Sequence, residues 1–281
     1  MKANLTIPRN MLARFGILIQ RRRCSGHLEG LTRAVNSSIW SRFSTHVAVE
    51  AKDETSILSE VKRPAHSVRP LSLDTSSPLR FVDPPPVGFK GITLKLFGFY
   101  SRQSKLIRGS RFLYTRVTAQ VEDPHCYASL DLEQNFRTTH ALLVLHLWLC
   151  LVRLRAEGKE GVEAGQYLYE VFNHDVEQRV VKAGVKMLVS KWMKELEKNF
   201  YGAVSAYDAA MKPNASKDEL AQALWRNVFA EDDSLLPSGP PAAPVHALAR
   251  YVRRETACLS VTDINSILSG NIMFTRDFAD L

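Results

Sequence analysis

Cysteine is scarce in this chain. Its 281 residues hold four, Cys24, Cys126, Cys150 and Cys258, and no two stand at Cys-x-x-Cys spacing. That excludes a zinc knuckle or a thioredoxin-type motif and makes reduced thiols the expectation. A Gly-rich phosphate loop and a nucleophile elbow are missing too. Alternation of apolar and polar residues at strand period is almost absent, which excludes a sheet-based fold. No apolar run reaches the roughly 20 residues that a bilayer core demands. The strongest run, Leu142-Leu143-Val144-Leu145-His146-Leu147-Trp148-Leu149-Cys150-Leu151-Val152, is interrupted by His146 and stops at Arg153. A helix apolar on nearly every side, yet too short to span, belongs in the middle of a soluble bundle.

Acidic residues are missing from two stretches. The formal charge of +8 suggests a nucleic-acid binder until its distribution is read. Residues 1–49 carry Lys2, Arg9, Arg14, Arg21, Arg22, Arg23, Arg33 and Arg42 against a single acid, Glu29. The rest holds 29 basic against 28 acidic residues and is nearly neutral. An Arg-rich, Ser-containing, acid-poor leader with Met11-Leu12, Phe15 and Ile17-Leu18-Ile19 on one helical face has the marks of a mitochondrial transit peptide. The second stretch is 84–121, with seven basic residues and no acid.

Proline then divides the chain. Pro64, Pro70, Pro78 and Pro84-Pro85-Pro86 stand among Ser and charged residues, so residues 50–88 read as a linker with little order. Helical periodicity begins at Phe99. At about 100° per residue, Phe99, Leu106, Ile107, Leu113, Val117 and Val121 share one face of a helix over 99–121. Arg102, Lys105, Arg108, Arg111 and Arg116 occupy the other. Gly109 weakens its middle by about 1 kcal/mol relative to Ala. Asp123-Pro124 breaks it, and a polar connection follows over 126–137. The apolar helix runs over 138–155 and ends at Gly158 and Gly161. Further helices are expected over 162–182, from Val185 to Met211, from Ser216 to Val228, over 245–259 and over 262–268. In the long one, Val185, Leu188, Trp192, Leu196, Phe200, Val204, Tyr207 and Met211 form one stripe. Ser216-Lys217-Asp218-Glu219 reads as a capping box. The fold class is therefore all-α: a single helical bundle over 89–281, behind a disordered leader (1–49) and a Pro-rich disordered linker (50–88).

Few residues invite a chemical reading. His140 and His146 lie about 240° apart around a helix and cannot share a metal. His174, Asp175, Glu177 and Arg179 make the densest polar cluster. It could bind a metal or run acid–base chemistry. A salt bridge or cap is the more frequent use of such residues, with Asp175 and Arg179 as i,i+4 neighbours. His146 reads as a hydrogen-bonded core histidine. Trp148, Trp192 and Trp225 occupy core-like positions. Trp192, Met193 and Tyr201 lie partly off the stripe and are candidates for an apolar surface that a client could cover. Nothing here requires a cofactor or metal.

Ordered blocks carry a resemblance. Leu145-His146-x-Trp148 precedes Leu151-Val152-Arg153-Leu154 and Glu157-Gly158. Asp175-Val176-x-x-Arg179 precedes Gly184-Val185. Then come Phe200-Tyr201-Gly202, Tyr207-Asp208, Ala223-Leu224-Trp225-Arg226-Asn227 and Tyr251-Val252-Arg253. In order and spacing, over about 95–275, these resemble the ubiquinol–cytochrome c chaperone family, mitochondrial assembly factors for cytochrome b of the bc1 complex. Asn173-His174-Asp175 departs from the Trp-Glu-Asp common there, and the Pro-rich 237–244 loop looks like an insertion.

The resemblance implies a non-enzymatic protein without cofactors. It implies a heterodimer with a small partner assembly factor, newly synthesised cytochrome b as client, and a site at the matrix face of the mitochondrial inner membrane, peripherally attached. In some lineages it also implies contact with the mitochondrial ribosome. His146, Trp148, Arg153, Asp175, Arg179, Tyr207, Asp208, Trp225 and Arg226 are the family-motif residues. Two alternatives stand beside this. One is a ribosome- or RNA-binding translation factor acting through the basic helix 99–121, whose five basic residues suit an anionic surface. The other is an all-α enzyme using His174, Asp175 and Arg179.

Overall fold

A computed structural model describes residues 68–82, 99–216, 218–230, 236–239 and 242–276. The leader, most of the linker and part of the 231–244 loop lie outside these residues. Among the described residues are eight α-helices: α1 (Arg102–Val121), α2 (Pro124–Ser129), α3 (Phe136–Arg155) and α4 (Gly158–Lys182). They are followed by α5 (Val189–Ala210), α6 (Glu219–Leu224), α7 (Ala243–Val261) and α8 (Ile264–Leu268). A single π-helical turn, Trp225–Phe229, extends α6. No strand occurs among the described residues, in agreement with the all-α expectation.

Short polar side chains start several helices. Ser101 accepts from Ser104 N at the head of α1. Asp123 caps α2, with Pro124 at its first position, where the missing N–H costs nothing. Asn135 and Thr138 form a reciprocal capping box on α3. Asp263 accepts from Ser266 N on α8. The Ser216 box is half-built: Glu219 accepts from Ser216 N at 3.0 Å.

The fold is organised around α3. Helices α1, α4, α5 and α7 and the π-turn all pack against it. Leu142, Leu143, Leu145, Leu147 and Cys150 have no exposed surface. At 20 residues α3 is longer than its apolar run and could cross a bilayer by length and composition, but the bundle buries most of it. Its last turn carries Arg153 and Arg155, favourable charges at the negative end of the helix dipole.

Two expectations are corrected. Residues 68–82 are ordered, although they fall in the 50–88 linker. Leu71 and Leu73 are buried. Leu73 N donates to Asn271 O at 2.9 Å and Met273 N to Leu71 O at 3.0 Å, around an antiparallel bridge between Ser72 and Ile272. Phe81 stacks on Phe112 of α1, ring centroids 3.8 Å apart. Proline did prevent regular structure, but the backbone groups found partners in the C-terminal segment instead. Secondly, Gly161 does not end α3 but lies inside α4, while Gly158 is the left-handed residue at the break between the two helices. Gly158 starts α4, with φ of +68°, so α4 is longer than the 162–182 expected.

Gly109 has a packing reason. A β-carbon there would stand 1.7 Å from the Leu268 carbonyl oxygen, because α8 lies directly against α1. Gly109→Ala should therefore destabilise by about 1–3 kcal/mol, as overpacking does, and not gain the roughly 1 kcal/mol of helix propensity. Urea unfolding followed by circular dichroism reads the sign directly.

Candidate functional site

The polar residues of the family blocks gather into three fastenings, each joining helices through a side chain that must leave water. The first joins α3 to α5. Trp148 Nε1 donates to Asp208 Oδ1 at 2.6 Å, and Arg155 grips the same carboxylate through both oxygens at 2.9 and 3.0 Å. Tyr207 lies beside it, fully buried, its ring 5.2 Å from Trp148. A bidentate guanidinium–carboxylate pair fixes orientation as well as distance. Here it aims the indole into the core.

The second joins α3 to α7 and α1. His146 is completely buried. Its Nδ1 is 2.8 Å from Leu142 O, and its Nε2 is 2.9 Å from the Tyr251 hydroxyl. A neutral ring protonated on Nδ1 satisfies both, donating to the carbonyl and accepting from Tyr251. Gln120 of α1 then donates to Tyr251 Oη and to Thr275 O. The expected core histidine is thus part of a relay of hydrogen bonds across three helices.

The third joins α1 to α4. Asp175 Oδ2 accepts from Arg179 Nε at 2.6 Å, the i,i+4 pair expected, and also from the Tyr114 hydroxyl at 2.7 Å. Arg179 reaches on to Glu122 at 2.6 Å. Burial, then the Asp175 carboxylate, raises the Tyr114 phenol well above its ordinary range. His174 faces solvent and is held by Gln178 at 2.9 Å, so it does not join Asp175. The constellation proposed for an enzyme is not assembled. Among the described residues, no group of three or more His, Cys, Asp or Glu side chains could hold a metal.

The remaining motif residues are placed as follows. Arg153 donates to Leu259 O at 3.0 Å and to Thr262 O at 3.4 Å, closing the end of α7, and pairs with Glu157. Beside it a shallow pocket lined by Leu149, Val152, Thr256 and Ser260 has room for about one water. Trp225 is half-buried and stacks on Phe229, while Arg226 is exposed. The core position expected for Trp225 and Trp192 is only half met, since both keep part of their surface in solvent.

The basic face of α1 is not the free patch expected. Arg102 pairs with Glu160 and Glu163 of α4, each at 3.3 Å. Arg108 donates to Phe99 O and lies over the Phe99 ring. Arg116 donates to Gly270 O and Leu79 O. Lys105 and Arg111 are exposed. The neighbouring helix supplies acids to Arg102, and backbone carbonyls take up Arg108 and Arg116, none of which a local charge count sees.

Some anchoring residues went unnoticed in the sequence. Arg137 donates to the carbonyls of Val228, Phe229 and Ala230, capping the π-turn. An arginine in the first turn of an apolar helix, the wrong end for the dipole, was the available signal. Leu188, placed on the buried stripe, is 68% exposed because α5 starts one residue later, and Met187 beside it is 81% exposed. Trp192, Met193 and Tyr201 pack against the core instead.

This geometry defines a helical scaffold whose motif residues fasten helices together. The profile described as ubiquinol-cytochrome C chaperone matches residues 128–274, just over half of the chain. The chain belongs to that family, one of chaperones and not of enzymes. It is similar to human ubiquinol-cytochrome c reductase complex assembly factor 1, 27% identical over 248 residues, covering 84% of this chain and 78% of the relative. The Xenopus laevis protein of the same name is 28% identical over 167 residues, 58% of this chain and 78% of the relative. Saccharomyces cerevisiae protein CBP3, mitochondrial, is 26% identical over 152 residues, with 53% and 43% covered. The crystal structure of the Cbp3 homolog from Brucella abortus superimposes with a TM-score of 0.55 at 26% identity, covering 67% of this chain and 99% of that one.

Two outcomes follow from the fastenings. Trp148→Ala should cost about 3–5 kcal/mol, and Asp208→Asn about 3 kcal/mol, since it strands the buried Arg155 charge. Chemical denaturation midpoints of the two variants check this.

Acid should also loosen the core. Burial pushes His140 and His146 from 6.5 down to about 4. Between those values the unfolded chain takes up protons that the folded one refuses. Stability is complete above about 6.5 and falls as pH drops, by about 2 kcal/mol per histidine at pH 5. Urea midpoints at the two pH values, with and without His140→Leu, measure it. The substitution should remove about half of the histidine share of the loss.

Proposed function

We propose that the protein is a non-enzymatic assembly chaperone for the mitochondrial ubiquinol–cytochrome c reductase. It receives newly synthesised cytochrome b in a heterodimer with a smaller partner protein, at the matrix face of the inner membrane. The observation that carries this is the family match over 128–274, whose relatives are named as assembly factors of that complex. The fastenings support it. They spend the motif residues on rigidity and leave the surface to do the binding. A transit peptide over 1–49 accounts for the basic leader and puts the protein in the mitochondrion, as the yeast relative's name does for that protein.

A second reading, a translation factor on the mitochondrial ribosome, retains Lys105 and Arg111 as surface charges. Both readings are tested together by pulling a tagged chain from mitochondria after pulse-labelling of organellar translation. Cytochrome b should be recovered in preference to other labelled products, together with one small protein. Recovery of ribosomes without cytochrome b, lost on reversing Lys105 and Arg111 to Glu, would replace the chaperone reading with the second.

A further inference from the structure

Three of the exposed large apolar side chains of the described residues lie together along the chain, at the end of α4 and in the turn to α5, while Leu79, Val82, Val261 and Met273 are exposed elsewhere. Met187 is 81% exposed, Leu188 68% and Val181 49%. Leu188 sits in the left-handed region at φ of +60° with its side chain in solvent. A β-carbon costs free energy there, and Gly or Asn would fill the position more easily. Folding thus gains nothing from this leucine: its conformation is strained and its apolar surface is wet.

Charge surrounds the apolar tip. Lys182, Lys186, Lys191 and Lys194 are all exposed. No acid occurs between Glu177 and Glu195 in the sequence. Exposed apolar side chains within a stretch of exposed lysines match the layering of an anionic membrane surface: headgroups for the ammonium groups, acyl chains for the apolar residues. An apolar protein helix would cover Met187 and Leu188 but would offer the lysines no anion, and so fits less well.

We propose that residues 181–194 form a membrane-docking tip, with Met187 and Leu188 entering the acyl boundary of an anionic bilayer and the four lysines meeting its headgroups. Tip insertion presupposes the membrane-face location proposed for the protein, not its chaperone activity. Recovery of cytochrome b tests the latter separately.

The experiment uses the full chain with Cys24→Ser and Met187→Cys, labelled at position 187 with an environment-sensitive fluorophore. The other cysteines, Cys126, Cys150 and Cys258, are buried and protected from the reagent. The label should shift to the blue with phosphatidylcholine vesicles containing phosphatidylserine, and not with phosphatidylcholine alone. Salt should weaken the shift. In co-sedimentation, the unlabelled Met187→Ser/Leu188→Asn chain should partition onto the anionic vesicles about tenfold less. Reversing Lys182, Lys186 and Lys191 to Glu should do the same, with circular dichroism unchanged in both variants. No blue shift with anionic vesicles, an equal shift with neutral ones, or undiminished partition in either folded variant would overturn the tip. A shift produced only by a soluble apolar helical peptide would overturn it in favour of a protein contact.

Discussion

Burying α3 on all sides is the constraint on which the rest of the structure depends. Such a helix needs neighbours around its whole circumference, and the polar groups on it are pressed to find partners there, His140 Nε2 alone among its buried side-chain atoms going without. His146, Trp148, Arg153 and Arg155 are the places where that demand falls. Their partners come from α7, α5, the end of α7 and α5 in turn. The apolar side chains of α3 draw the helices in without direction. The four polar ones, together with Arg137, fix how α5, α7 and the π-turn lie against it.

This explains why the motif residues look functional in sequence while serving structure. Tyr207-Asp208 is a pair because one residue fills space beside Trp148 and the next holds its N–H. Tyr251 must carry a hydroxyl because the far side of His146 would otherwise be an unmet acceptor. Asp175 serves two donors at once, so α1 and α4 are aligned by a single carboxylate. The apolar side chains between α4 and α5 are left at the surface, outside these fastenings.

Helix periodicity made the bundle legible from the residues alone. The centre of α3, the Asp175–Arg179 pair and the Asp123-Pro124 break all follow from local spacing. Legibility ended where the decisive partner is distant. Pro70 and Pro78 spoke against regular structure over 68–82, and rightly so. The pairing of Leu71 and Leu73 with residues 271–273 depends on a segment about 200 residues away. The free basic face of α1 failed for the same reason, since Arg102 finds Glu160 and Glu163 on another helix and Arg116 finds Gly270 O near the other end of the described chain. Leu188 failed for a different one. A stripe drawn through periodicity takes no account of where the helix starts, and a left-handed residue just before α5 turned that side chain outward. Gly109 shows the converse, a weak helix residue whose cause, the Leu268 carbonyl, lies outside its own element.

If α3 is the frame on which the other helices are hung, it cannot open without them. Native-state hydrogen exchange tests this most directly. Backbone amides from Thr139 to Leu154 should exchange only through global unfolding, with opening free energies equal to the whole-domain stability and the same denaturant dependence. Exchange of α3 amides through a smaller opening, while α1 or α4 stays protected, would contradict the account.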